Sequence, residues 1–157
     1  MIESLQERNT ACRDWIDMTI HASPAAAAAT VLVVEDDFLV RLCAADALSE
    51  AGFNVLQADN GPAALRILED RPVDVVFTDI NMPGAFDGAG LARRIRDRWP
   101  ATAVVVTSGR GRPDGGLGDA RFLPKPYMPD SLSRVIEEVL GFHAGHDTAG
   151  NVRCLAG

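Results

Sequence analysis

Cysteine is scarce in this chain and poorly placed for structural use. Cys12, Cys43 and Cys154 are odd in number and far apart. That excludes a disulfide framework and the paired spacing of a zinc site, and a reducing cytoplasm is the expected compartment. Cys43 falls in an apolar helical pattern and reads as a small core residue. Long hydrophobic runs are also missing. The most apolar window, 25–34, is half alanine and stops at a cluster of acids, well short of the roughly 20 residues a membrane span needs. Residues 23–29 superficially resemble an export-signal cleavage site. No apolar core precedes them, and Glu3, Glu7, Asp14 and Asp17 are wrong for such a signal. Positive charge is the third deficit, with 15 Lys and Arg against 22 Asp and Glu and a net charge of −7. Nucleic acid and anionic membrane would both repel that surface, so neither is expected as a direct partner. What remains, 47% hydrophobic and 24% charged residues in a chain of 157, suits one soluble domain with short extensions.

The pattern changes at residue 30. Residues 1–29 read as a separate, flexible extension, in which Ile2, Leu5, Cys12, Trp15 and Ile16 could form a weak amphipathic helix before an alanine-rich connector. From there strands and helices alternate. A strand at 31–35 leads to a helix at about 37–51 with Val40, Ala44, Ala47, Leu48 and Ala51 at helical spacing, ended by Gly52. A short strand at 54–58 leads through Asn60-Gly61 into a helix at 62–70, whose Pro62 suits a first turn. The third strand is 73–78, followed by a helix that turns Leu91, Ile95 and Trp99 inward. Strands at 103–108 and 120–123 follow, then a helix at about 130–141 and a tail at 142–157. This order predicts an α/β fold, a doubly wound five-stranded parallel sheet with helices on both faces. One segment breaks the rhythm. Residues 109–119 hold five glycines and a proline, which cost about 1 and 3 kcal/mol each inside a helix, so the fourth helix should be degenerate.

Two of the buried-strand runs end in acid. VLVVEDD at 31–37 delivers Glu35, Asp36 and Asp37, and VVFTD at 75–79 delivers Asp79. In parallel sheets the ligand site lies just beyond the carboxyl ends of the strands. Carboxylates gathered there raise one another's pKa unless a cation compensates them, and oxygen-only ligands point to Mg²⁺. Asp37, where the first helix begins, is better suited to capping it.

With these acids stand Asn81-Met82-Pro83-Gly84 after the third strand, Thr107 near the end of the fourth, and Phe-Leu-Pro-Lys-Pro at 122–126. All five elements, in order over about residues 31–141, resemble the receiver domains of two-component response regulators, which have a flavodoxin-like fold. The resemblance implies that Asp79 accepts a phosphoryl group and that Asp36 and Asp79 hold Mg²⁺ directly. It places Glu35 on the metal through a water and Asn81 through its backbone carbonyl. Lys125 would pair with Asp79 at rest and with a phosphoryl oxygen afterwards, and the Lys125–Pro126 bond is a candidate cis peptide. Thr107 would be the switch hydroxyl and Phe122 the aromatic that follows it. Asn81 and Gly109 occupy the two positions expected to set phosphoryl lifetime.

The implied function is a single-domain response regulator of residues 30–141, phosphorylated by a histidine kinase or phosphotransfer protein. It would signal to an unknown downstream protein by contact or act as a phosphate sink, and it would turn over no free substrate. Sixteen residues after 141 are too few for a DNA-binding output module, and Arg93, Arg94, Arg96 and Arg98 read as a solvated helix face. The loop PGAFDG is one residue longer than the commoner family form. The enzyme alternative is a small Mg-dependent aspartyl-nucleophile phosphatase, disfavoured because position 81 is Asn rather than a second acid. A flavodoxin-like redox module is the third reading, and the acids after the first strand would repel its phosphate.

Overall fold

Val-rich segments too short for helices form the centre of the molecule. In the computed structural model, which describes residues 28–84, 86–112 and 117–146, the strands are β1 (Thr30–Val34), β2 (Asn54–Ala58), β3 (Val75–Asp79), β4 (Ala103–Ser108) and β5 (Arg121–Pro124). The helices are α1 (Phe38–Glu50), α2 (Gly61–Asp70), α3 (Gly88–Arg98) and α4 (Pro129–His146). All strand pairs are parallel, in the order β2-β1-β3-β4-β5. The chain therefore reverses direction across the sheet between β1 and β3, and a crevice forms beyond their carboxyl ends.

Strand alternation divides the core by face. Val31, Val33, Val75, Phe77, Val105 and Leu123 pack with Leu48 of α1 and with Leu132 and Ile136 of α4. Leu32, Val34 and Val76 point the other way, onto Leu68 of α2 and Leu91 and Ile95 of α3. Each fully buried aliphatic side chain contributes about 1.5–3 kcal/mol relative to exposure. Caps fix where the helices begin. Asp37 accepts hydrogen bonds from the Leu39 and Val40 amides, Asn60 from Ala63, and Asp87 from Gly90. Gly52, at φ +93°, closes α1 in the left-handed conformation that glycine permits.

Several expectations are corrected. Cys43 is exposed, because α1 turns Ala44, Ala45 and Leu48 to the core and leaves Cys43 on its flank. The last helix does not stop at 141 but runs on to His146. Gly141 is not in the left-handed region, and a helical glycine only weakens a helix that tertiary packing already holds. The third strand begins at Val75 and includes Asp79, and the fifth begins at Arg121. The readings for residues 1–27 and 147–157 lie outside the described residues. Among the described residues no helix stands between β4 and β5, as the glycine content predicts. Buried Leu117 and Ala120, with half-buried Phe122, instead pack on Ile80, Ala92 and Val106. They leave a cavity of about 210 Å³ bounded by Ala92, Val104, Leu117, Ala120 and Val139. Among the described residues no helix is long and apolar enough to cross a membrane.

Leu117 therefore closes part of a sheet face that a helix would otherwise cover. Leu117→Ala should cost about 2–3 kcal/mol in urea unfolding, whereas Gly109→Ala, with open space around the added methyl, should change stability by less than about 0.5 kcal/mol. Equal effects would mean that Leu117 does not bear this load.

Candidate functional site

Parity builds the site. Glu35 follows β1, Asp79 ends β3, Thr107 pairs with Asp79 in register, and Lys125 follows β5 two residues beyond Leu123, the partner of Thr107. All four share the pleat of Val33, Phe77, Val105 and Leu123, so they line one side of the sheet at its carboxyl end. There Lys125 Nζ donates to Glu35 Oε2 and to Asp79 Oδ2, both at 2.7 Å. Carboxylate oxygens of Glu35, Asp36 and Asp79 lie within 4.8 Å of one another. Glu35 and Asp79 are buried and Asp36 is exposed. Three carboxylates thus face one ammonium, an excess of negative charge open to solvent on the Asp36 side.

The surroundings hold this row in place. Arg41 Nη1 donates to the Glu35 carbonyl at 2.7 Å, and the Asn81 amide donates to Asp79 Oδ1 at 3.0 Å. The Ile80 amide donates to the Thr107 carbonyl, and the Lys125 amide to that of Ser108. Gly88 opens α3 directly against the strand end, where a methyl group would overlap the Asp79 carbonyl oxygen. The Lys125–Pro126 bond is cis. Thr107 Oγ1 is buried without a hydrogen-bond partner among the described residues. A hydroxyl in that state costs free energy unless another group satisfies it.

Sequence reasoning placed Glu35, Asp36, Asp79, Asn81, Thr107 and Lys125, and the fold brings all six together. Phe122 stands apart. It pairs with Val106, on the opposite pleat from Thr107, and packs beside Leu117 and Ala120. Two contacts went unforeseen. Arg41 carries no signal in the sequence, since its role follows from the turn between β1 and α1. Ser108 accepts the Asn81 side-chain N–H at 2.9 Å, and its position directly after Thr107 is the one cue to it.

A 2-1-3-4-5 parallel sheet with a lysine-bridged carboxylate cluster at its switch point defines a flavodoxin-like α/β protein with an acidic site. The chain belongs to the response regulator receiver domain family, whose profile matches residues 31–137. Relatives include the DNA-binding transcriptional regulator NtrC of Escherichia coli strain K12, 30% identical over 128 residues that make up 78% of this chain and 27% of that protein. The sensor kinase CckA of Brucella abortus is 36% identical over 76% of this chain and 13% of its own length. A putative NtrX-like response regulator of Rickettsia felis is 34% identical over 65% of this chain and 23% of its own. The chain thus spans about a quarter or less of these relatives. Among solved structures, NtrX of Brucella abortus with ADP superposes at TM-score 0.74 with 30% identity, covering 82% of this chain and 31% of that one. CheY4 of Vibrio cholerae superposes at 0.67 with 27% identity, over 72% and 99% of the two chains.

Burial raises the Glu35 carboxyl above its ordinary 4.5, against the pull of Lys125. Burial also pulls the Lys125 ammonium down, but the hydrogen bonds it donates to Asp79 and Glu35 outweigh it and the net shift is upward from 10.5. A raised folded-state value means that Glu35's contribution to stability is fully present below pH 4.5 and lost as pH rises through the folded value. The Lys125 contribution has the same sign and persists until pH climbs beyond 10.5. Glu35→Gln removes the first titration, so urea unfolding should show the variant gaining stability relative to wild type as pH rises from 4.5. A difference constant in pH would contradict a raised Glu35.

Proposed function

We propose that this chain accepts a phosphoryl group on Asp79 and works as a response regulator whose receiver unit spans residues 30–141. The observation that carries the reading is Lys125 held between Glu35 and Asp79, with the buried Thr107 hydroxyl on the same pleat lacking a hydrogen-bond partner among the described residues. Attack of a carboxylate on a phosphoryl group is opposed mainly by repulsion between anions, so a protein assists it by positioning and charge neutralisation. Asp79 Oδ1, fixed by the Asn81 amide, is the oxygen free of lysine and suited to attack. The bond between phosphorus and the donor's leaving group breaks as the Asp79 oxygen–phosphorus bond forms. Lys125 can then shift from Asp79 to a phosphoryl oxygen, while Thr107 gains the acceptor it lacks.

The hard-oxygen donor set suits Mg²⁺, with Asp36 and Asp79 as direct ligands, Glu35 through water and Asn81 through its carbonyl. When bound, the ion would neutralise charge on the transferring group. The donor is read as a histidine kinase or histidine phosphotransfer protein. Supporting that partner, Phe38 and Leu39 of α1 and Met128 are 62%, 68% and 69% exposed. They stand by a groove of about 690 Å³ that Cys43, Lys125, Pro126 and Tyr127 line, an apolar rim on which a partner helix can seat. The output is contact with a downstream protein, or use as a phosphate sink, in the cytoplasm. No direct DNA binding is assigned, in keeping with the net charge of −7. The chemistry is self-directed phosphorylation and hydrolysis rather than turnover of a free ester.

Incubation with acetyl phosphate or beryllofluoride and Mg²⁺ should modify wild type and leave Asp79→Asn unmodified; equal modification of both would sink the assignment. Mg²⁺ at about a hundredfold its dissociation constant should raise unfolding free energy by about 2.7 kcal/mol. Asp36→Asn should lose most of that gain, and a full gain in the variant would remove Asp36 from the metal.

A further inference from the structure

We propose that Ser108 is a positioning residue for loss of the phosphoryl group, acting by holding the Asn81 carboxamide in one orientation. The inference rests on the reading of Asp79 as phosphoacceptor. Ser108 is buried at the end of β4 and joins three segments. Its carbonyl accepts the Lys125 amide at 3.1 Å. Its hydroxyl oxygen accepts Asn81 Nδ2 at 2.9 Å and the Arg110 amide at 3.1 Å. Asn81 is therefore clamped twice, through its backbone to Asp79 Oδ1 at 3.0 Å and through its side chain to Ser108.

The clamp decides which end of the amide stays free. With one Nδ2 hydrogen engaged by Ser108, the amide plane is fixed and Oδ1, which can only accept a hydrogen bond, is turned away from Ser108. Asn81 is exposed, so water reaches it. In hydrolysis the water oxygen bonds to phosphorus, and the bond from phosphorus to the Asp79 oxygen breaks with its electron pair returning to the carboxylate. The water's protons pass to phosphate and solvent. A nearby group that accepts a hydrogen bond from the water fixes its lone pair toward phosphorus, and Oδ1 of a clamped Asn81 is such a group. Without the Ser108 hydroxyl the amide can turn its N–H₂ toward the phosphoryl oxygens, which stabilises the phosphorylated form rather than its attack. Gly109 carries no side chain to take over the role, and the space about it is open.

The test is the half-life of the full chain labelled with acetyl phosphate and Mg²⁺, after the donor is removed. Ser108→Ala deletes the hydroxyl and keeps the carbonyl that Lys125 uses. It should lengthen the half-life about fivefold or more, below the roughly 100-fold at the low end of general-base catalysis, because Asn81 orients the water without taking its proton. Ser108→Thr, which retains the hydroxyl, should restore much of the loss rate. In an Asn81→Ala background Ser108→Ala should change the half-life by less than about twofold, since the pair acts as one unit. A Ser108→Ala half-life at or below that of wild type, or the same lengthening with Asn81 absent, overturns the proposal. An unlabelled wild type overturns the phosphoacceptor reading itself, before any Ser108 variant is compared.

Discussion

Three carboxylates delivered to the ends of two neighbouring strands repel one another, and the Lys125 ammonium lets the fold hold them together. Its two 2.7 Å hydrogen bonds, to Glu35 and Asp79, tie the end of β1 to the end of β3 through a residue that follows β5. Ion pairs removed from water often recover little net free energy once desolvation is counted. This one is better understood as a constraint on geometry. It fixes the separation of the acids and orients Asp79 with one oxygen on lysine and the other on the Asn81 amide. One cation against three acids also leaves the site short of positive charge, and that deficit is what the proposed Mg²⁺ would offset.

The row of residues that makes this possible follows from pleating. A strand sends alternate side chains to one face, and in-register parallel strands repeat that choice across the sheet. Once Val33, Phe77, Val105 and Leu123 are in the core beneath α1 and α4, the residues two positions further on have to emerge together beyond the sheet. They are Glu35, Asp79, Thr107 and Lys125. The site is the polar continuation of the hydrophobic core, so a slip of one residue in any strand would remove that strand's contribution.

This is also why so much was legible in the sequence. A Val-rich run ending in acid states the strand, its burial and the position of its functional side chain at once, and Asp79 and Glu35 could be read on that ground. The Gly-rich stretch announced the lost helix through backbone cost alone. Contacts that depend on how a strand end meets a loop were not legible. Ser108 and Asn81 are 27 positions apart, and nothing in either neighbourhood encodes their contact. Cys43 was misread because apolar neighbours in a helix do not say which flank faces outward. The run of α4 past Gly141 was missed because one glycine only weakens a helix and does not end it unless it takes the left-handed conformation, which Gly141 does not.

The lost helix places an unusual demand on the end of β4. On the side of the sheet away from Lys125, the cover over β4 and β5 comes from Leu117, Ala120 and Phe122, braced where Arg96 of α3 lies against Gly118, itself at φ +59°. The acids and Lys125 lie on the other side. Thr107 and Ser108 are consecutive, so their side chains leave β4 toward opposite faces. Thr107 ends among the site residues with a hydroxyl that has no partner among the described residues, and Ser108 ends on Asn81 and on the Arg110 amide, within the segment that stands where a helix would be. A change in charge at Asp79 can reach that segment by two routes: through the β4 backbone behind Thr107, and through the Asn81–Ser108 contact. Neither route needs a helix to carry it, so both stay open in a chain whose described residues place none between β4 and β5.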